Sequence, residues 1–178
     1  MLCMGAFLVY NVLIKEKEHF AMIKKIEGTG YKYDPKYRFY GWEYADDIKP
    51  IKDCGAATIG EFYLACLDAW NLQTCSERLR PGWSEDNPSV GQCTITAAIV
   101  HEFFGGEVLG LPLLEGGMHS FNRLDGKIID LACEQFGKDA LLDFDNSLPV
   151  DPDSLLAAPD KAERAALLKE RILQILHS

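Results

Sequence analysis

Residues 89–106 read SVGQCTITAAIVHEFFGG, and they contain the clearest helix signals in the sequence. Ser89 followed by Gln92 is a capping-box pattern, and the paired glycines at the other end are typical of a helix C-terminus. The residues between are apolar on nearly all faces of a helix. The sequence therefore predicts a central, buried helix of about four turns at 3.6 residues per turn, with Cys93 in its first turn.

Cys93 is the candidate nucleophile of the chain. Free N–H groups and the positive end of the helix dipole lower the pKa of a thiol in the first turn and favour the thiolate. The other cysteines, at positions 3, 54, 66, 75 and 133, follow no comparable helix start. His101 lies about 12 Å further along the same helix at 1.5 Å per residue and is too far away to serve this thiol.

Residues 118–132 read MHSFNRLDGKIIDLA, two strand-like runs around an Asp-Gly turn. A two-residue turn at Asp125-Gly126 pairs Leu124 with Lys127 and, further along, Phe121 with Asp130. Residues that lie opposite each other, or two apart on a strand, share a face. His119 and Asp130 are therefore predicted to be diagonal neighbours on one face of a hairpin.

A thiol at a helix start followed by His and Asp on strands is the arrangement that thiol catalysis needs. The sequence predicts a Cys93, His119 and Asp130 triad. The alternative interpretation is a structural cysteine with a His and an Asp in ordinary core hydrogen bonds, because free cysteines often act as small apolar fillers.

The remaining elements predict an α+β domain. Thr58 and Glu61 form a second capping-box pattern at the start of an apolar helix, and residues 107–111 suit a strand. A last helix, with Asp160 as its cap, carries an apolar stripe that docks on the core. We expect a central Cys-bearing helix packed on an antiparallel sheet.

The charge of the chain changes near residue 57. Residues 1–57 hold nine Lys/Arg and eight Asp/Glu, and residues 58–178 hold nine and nineteen. We expect an N-terminal extension over 1–57 and a domain over 58–178. The segment 31–44 holds seven aromatics, spaced in part at period two, which favours short strands; it forms either an edge packed on the core or a lid over a ligand.

The net charge of −9 disfavours nucleic acid as a partner. The apolar run 1–14 is too short to span a bilayer and lacks a basic start, so stable membrane insertion is not expected. Cys and His spacing shows no zinc pattern, and no metal or cofactor is predicted. A chain of this length builds a core without disulfides, which favours a reducing cytoplasm. The sequence leaves the oligomeric state open.

The blocks NPSVGQC at 87–93, IDL at 129–131 and QFG at 135–137 resemble the YunG-type family of small bacterial proteins. The likeness covers about residues 59–176. This sequence departs from the family pattern at Ser120, where an aromatic residue is expected, and at Ala132, where threonine is usual. The family carries no known reaction, so the resemblance implies a relationship and not an activity.

The order of helix Cys, strand His and strand Asp is also similar to papain-like folds, including transglutaminase-like proteins and arylamine N-acetyltransferases. This likeness implies Cys93 as nucleophile, His119 as base and acid, and Asp130 as orienter of the imidazole. Asn87 or Gln92 is expected to donate to the oxyanion, beside the backbone N–H of Cys93.

We therefore expect thiol-dependent acyl transfer, most simply hydrolysis of a small amide or a peptide. Two alternatives stand beside it. One is a binding or interaction module without catalysis on the same fold, and the other is a transferase that passes the acyl group to an amine.

Overall fold

The computed structural model describes residues 24–25, 39–113, 116–137 and 141–178, which form an α+β structure. The helices are α1 Ile59–Ala69, α2 Cys93–Phe104, α3 Pro152–Leu155 and α4 Pro159–Leu176. The strands are β1 Lys24–Lys25, β2 Glu107–Pro112, β3 Met118–Leu124, β4 Lys127–Ile129, β5 Leu141–Leu142 and β6 Leu148–Val150. Short 3-10 helices lie at Trp42–Tyr44, Glu77–Gly82, Cys133–Phe136 and Phe144–Asn146.

Four antiparallel strands form the sheet next to the candidate site, in the order β4-β3-β2-β6, and β1 pairs with β5 separately. Asp125 and Gly126 both have positive φ, 50° and 76°, as a type I′ hairpin turn requires. Leu124 pairs with Lys127, which confirms the predicted register. The β3 to β4 ladder ends at Ile129, so Asp130 does not pair with Phe121.

The predicted central helix is confirmed in α2, which packs on β3 on one side and on α4 on the other. Its side chains at Ile95, Ile99 and Val100 are almost completely buried. A second apolar cluster covers the opposite face of the sheet and includes Leu109 and Phe121. The sheet therefore lies between two apolar layers, and its edge is where a polar site can open to solvent.

The aromatic segment differs from its predicted strands over the part that the structure describes. Trp42–Tyr44 is a 3-10 helix, and Tyr40 makes a single bridge to Asp130. Phe39 is 2% exposed and belongs to the same core cluster as α1 and α2. A single bridge gives no hydrogen-bond ladder, so the segment does not form a strand despite its period-two spacing. Packing of the rings on the core determines its conformation instead. The described part of the aromatic segment, residues 39–44, therefore packs on the core. The domain boundary after residue 57 stays a prediction.

The last helix begins at Pro159, one residue before Asp160, which the sequence predicts as its cap. Ala158 precedes α4 without a side-chain cap, and Pro159 occupies the first helical position. Proline suits this position because its fixed φ fits a helix and its missing N–H is not needed there. The predicted stripe is confirmed at Ala165, Leu168 and Ile172, which are buried.

The apolar run 1–14 and the aromatics at 31, 33 and 37 lie outside the described residues. Across the part of the chain that the structure does describe, none of the helices has both the length and the apolar character that a bilayer crossing needs.

Candidate active site

Cys93 is the first residue of α2, and this position differs in detail from the predicted capping box. Gln92 precedes the helix and makes no side-chain cap, and Ser89 lies in a turn before it. Gly91 has φ +72°, a left-handed conformation that a helix cannot include. The helix therefore starts at Cys93, whose backbone N–H has no acceptor within the helix.

His119 and Asp130 form the buried half of the site. His119 Nε2 lies 2.5 Å from Asp130 Oδ2, and both residues are completely buried. The second oxygen of Asp130 accepts the Ala132 N–H at 3.0 Å. The Asp130 backbone exchanges hydrogen bonds with Tyr40 at 3.0 and 3.2 Å. This bridge holds the carboxylate in place after β4 has ended, and the predicted contact between the His and Asp side chains is confirmed.

The Cys93 thiol lies beside the His119 side chain and the Ser120 backbone, and both lower its pKa. Thr94 Oγ1 lies 3.9 Å from the sulfur. Because Asp130 occupies Nε2 of the imidazole, Nδ1 is the nitrogen left for the thiol. The structure therefore brings the three predicted residues Cys93, His119 and Asp130 together beside the end of the β3 to β4 ladder.

Three further side chains contact the His119 ring, and of these only Phe121 was predicted to share its face of the hairpin. Phe136 packs edge-on at 4.8 Å between ring centroids, and Phe121 lies at 5.6 Å. Gln135 Nε2 lies 3.3 Å from His119 Nδ1. Gln135 and Phe136 follow Asp130 by five and six residues in a 3-10 turn. The QFG block at 135–137 was the sequence signal for these residues, but its spacing does not reveal which side chain they meet.

The two departures from the family pattern leave the contacts of the site intact. At Ser120 it is the backbone that lowers the pKa of Cys93, and Ala132 supplies its backbone N–H to Asp130. Because the backbone makes both contacts, the side chains at these two positions can vary without removing them.

The Cys93 pKa reflects two opposing influences. Burial raises the pKa, but the hydrogen bond and positive charge of His119, together with the Ser120 backbone and Thr94, lower it to about 7. Burial lowers the pKa of His119, while the charge and hydrogen bond of Asp130 raise it to about 10. Between these values one proton is shared by the pair, and the order of the pKa values favours a thiolate beside an imidazolium.

The other described cysteines provide the contrast. Cys54, Cys66, Cys75 and Cys133 are buried, whereas Cys93 is partly exposed. Burial raises the pKa of each of these four thiols. A buried thiol with a raised pKa is unreactive, because the thiolate is the nucleophile. Among the cysteines that the structure describes, Cys93 alone combines exposure with a lowered pKa.

The two predicted oxyanion donors make hydrogen bonds within the protein. Asn87 Nδ2 donates to the Glu134 carbonyl at 3.3 Å, and Gln92 Nε2 donates to the Asn71 carbonyl at 3.1 Å. Gln92 is completely buried, whereas Asn87 is partly exposed and keeps a second amide hydrogen. Their oxyanion roles stay predictions. The Cys93 N–H needs no rearrangement to serve in this way.

No group of three or more His, Cys, Asp or Glu side chains in the described ranges is arranged to hold a metal ion. A cleft of about 260 Å³ lies elsewhere, lined by charged and polar side chains of the 3-10 turn at 77–82 and of α4. It contains none of the residues around Cys93.

The fold and site define an α+β protein in which a thiol lies beside an imidazole and the imidazole contacts a carboxylate. The YunG protein family model matches residues 58–177, and the chain belongs to this family. It is similar to the uncharacterized protein YunG of Bacillus subtilis (strain 168), with 34% identity over 64 residues. That match covers 36% of this chain and 55% of the relative, so the chain spans about half the length of the curated relative. No solved structure matches significantly.

Proposed function

We propose that the protein carries out thiol-dependent acyl transfer, most simply hydrolysis of a small amide or peptide bond, through Cys93, His119 and Asp130. One observation carries this proposal. Cys93, a partly exposed residue at a helix start, lies beside an imidazole that lowers the pKa of its thiol and whose Nε2 is held by a buried carboxylate. A cysteine that only filled space would not need this polar chain, because desolvating a His and an Asp is costly.

Acylation begins with attack of the Cys93 thiolate on the substrate carbonyl carbon, which forms a C–S bond and an oxyanion. The Cys93 N–H, at the positive end of the α2 dipole, donates to this oxyanion. The C–N bond then breaks as His119 Nδ1–H protonates the leaving amine. Asp130 stays ionised and holds the imidazole orientation.

Deacylation reverses the proton path. His119 Nδ1 takes a proton from water, and the resulting hydroxide attacks the thioester carbon. The C–S bond breaks, the carboxylic acid leaves, and the thiolate and imidazolium are restored. If an amine replaces water, the same steps make a new amide, so the site also supports the transferase alternative. Mass spectrometry of products formed with added amines distinguishes the two.

A papain-like or transglutaminase-like core is part of this proposal. The supporting features are a Cys-bearing helix packed on an antiparallel sheet, His119 on one strand and Asp130 directly after the next. The likeness rests on this arrangement and on the way the three side chains follow one another, from Cys93 to His119 to Asp130. It supports acyl transfer as the proposed reaction class and indicates no particular substrate.

Labelling of the full-length chain with limiting iodoacetamide at pH 6 tests the proposal. With a pKa of about 7, the Cys93 thiol is about 10% ionised there, against about 0.1% for a thiol of pKa 9. Lower pKa also weakens nucleophilicity, so the expected net advantage is about tenfold. Peptide mapping by mass spectrometry measures each cysteine, and Asp130→Asn is expected to keep part of the advantage because Asp130 acts mainly through orientation.

The unfolded chain in urea is the control, and its cysteines should label evenly. Uniform labelling of the folded protein, or Cys93 labelled last, contradicts the proposal. That result would favour the binding-module alternative.

A further inference from the structure

Gln135 is the polar neighbour of His119 to which the proposed steps give no role. Its side chain reaches back from the 3-10 turn at Cys133–Phe136, and its Nε2 lies 3.3 Å from His119 Nδ1. The same nitrogen donates to the Ala132 carbonyl at 3.0 Å. Gln135 is partly exposed, so the contact lies where the buried pair meets solvent.

The Ala132 carbonyl fixes the orientation of the Gln135 amide. A carbonyl oxygen only accepts hydrogen bonds, so the amide atom that faces it must be the nitrogen. Turning the amide round would place two oxygens against each other. Gln135 therefore directs N–H groups toward both Ala132 and His119 Nδ1.

An N–H group directed at Nδ1 is compatible with only one protonation state of that nitrogen. When Nδ1 carries a lone pair it accepts the Gln135 hydrogen bond, and when it is protonated two donors face each other. A hydrogen bond made only to the neutral form disfavours the charged form. Asp130, in contrast, is an anion that favours the charged ring, and Cys93 as a thiolate does the same.

We infer that Gln135 is a positioning residue whose N–H, directed at His119 Nδ1, offsets part of the proton affinity that Asp130 gives to the ring. This inference rests on the proposed function, in which Nδ1 must release its proton to the leaving amine and then take one from water. Asp130 and Cys93 together raise the pKa of His119 to about 10, which makes the ring a weak acid. Gln135 counteracts this increase in the His119 pKa. Each protonation of Nδ1 removes the lone pair that accepts the Gln135 N–H, so the hydrogen bond between them is lost.

NMR titration of His119 in the full chain tests the inference, with Cys93→Ala as background so that the thiol does not titrate with it. Gln135→Met keeps the length of the side chain and removes the N–H. We expect it to raise the His119 midpoint by about 0.5 to 1 pH unit, the equivalent of one hydrogen bond. Gln135→Ala serves as a second variant with the same expected direction. Gln174→Met, at an exposed position of α4, is the control and should cause no shift.

The direction of the shift separates this role from a structural one. If Gln135 only held the ring in place, its removal would loosen the contact with Asp130 and lower the midpoint. An unchanged or lowered midpoint in Gln135→Met and Gln135→Ala, with the resonances of His101 and His177 unaltered, overturns the inference. The proposed function fails on different data, namely the absence of preferential labelling at Cys93 in the wild-type chain.

Discussion

Two helices of this protein carry the same pattern at their start and use it differently. At α1 the Thr58 side chain accepts the Glu61 N–H at 3.2 Å, and the Glu61 carboxylate accepts the Ala57 N–H at 2.7 Å. At α2 the matching residues are Ser89 and Gln92, and neither caps the helix. Ser89 donates to Asn87 and Gln92 donates to Asn71.

The helix α2 lacks the side-chain cap that stabilises α1, but its first N–H groups remain free. A side-chain cap contributes about 1 kcal/mol to a helix, and α1 has one whereas α2 does not. Burial of its apolar faces holds α2 in place instead. The start of α2 therefore keeps free N–H groups beside Cys93, where the proposed oxyanion forms.

Replacement of His119 should have the largest effect on this contrast. In His119→Ala the burial of Cys93 still raises its pKa, but the hydrogen bond and charge that lower it are lost. We expect the midpoint of the alkylation rate against pH to rise from about 7 toward the ordinary thiol value of 9, a change of up to about 2.7 kcal/mol. Iodoacetamide labelling from pH 5 to 10 measures it.

His101→Ala is the matched control, because His101 lies on the same helix and its Nδ1 contacts the Gly106 carbonyl. Its midpoint should stay near 7. If His119→Ala leaves the midpoint unchanged as well, then the helix start alone sets the reactivity of Cys93.

Gly91→Ala should have the next largest effect, because Gly91 ends the turn that places Cys93 first in α2. Its φ is +72°, and an added Cβ would lie 2.7 Å from Cys75 Sγ and 3.0 Å from the Ser76 nitrogen. Left-handed strain and overpacking together are expected to cost about 2 kcal/mol or more of unfolding free energy. Urea unfolding measures the cost. Gly82→Ala, where nothing lies within 4 Å of the added atom, is the control, and equal stability of the two variants would contradict the account.

The pairing of His119 with Asp130 was predictable because it follows from local rules. The Asp125-Gly126 turn fixes the register, and side-chain parity does the rest. The helix from Cys93 to Phe104 was predictable for the same reason, since its apolar residues and closing glycines are contiguous. Its first residue was not, because the left-handed Gly91 lies beside Cys75 and its carbonyl accepts the Ser76 N–H at 3.0 Å, a contact that the spacing of the sequence does not reveal.

The contacts that complete the site depend on tertiary structure. The bridge between Tyr40 and Asp130 joins residues that are 90 positions apart in the sequence. Tyr40 lies in the aromatic segment, whose spacing suggested strands. The Gln135 side chain meets His119 through a 3-10 turn that has no strong sequence signal. Packing of the aromatic segment on the core was one of the two predicted outcomes, but an aromatic run does not indicate that Phe39 in particular enters the core.

Removal of the α1 cap should have the smallest effect and gives the most direct test of the contrast between the two helix starts. Thr58→Ala deletes the oxygen that accepts the Glu61 N–H, and Thr58→Ser retains such an oxygen. We expect the alanine variant to lose about 1 kcal/mol of unfolding free energy relative to the serine variant, as measured in urea. The pH midpoint of Cys93 alkylation should be the same in both, because α1 stabilises the fold without contacting the thiol. Equal stability of the two variants would show that packing alone holds α1, and the contrast with α2 would then disappear.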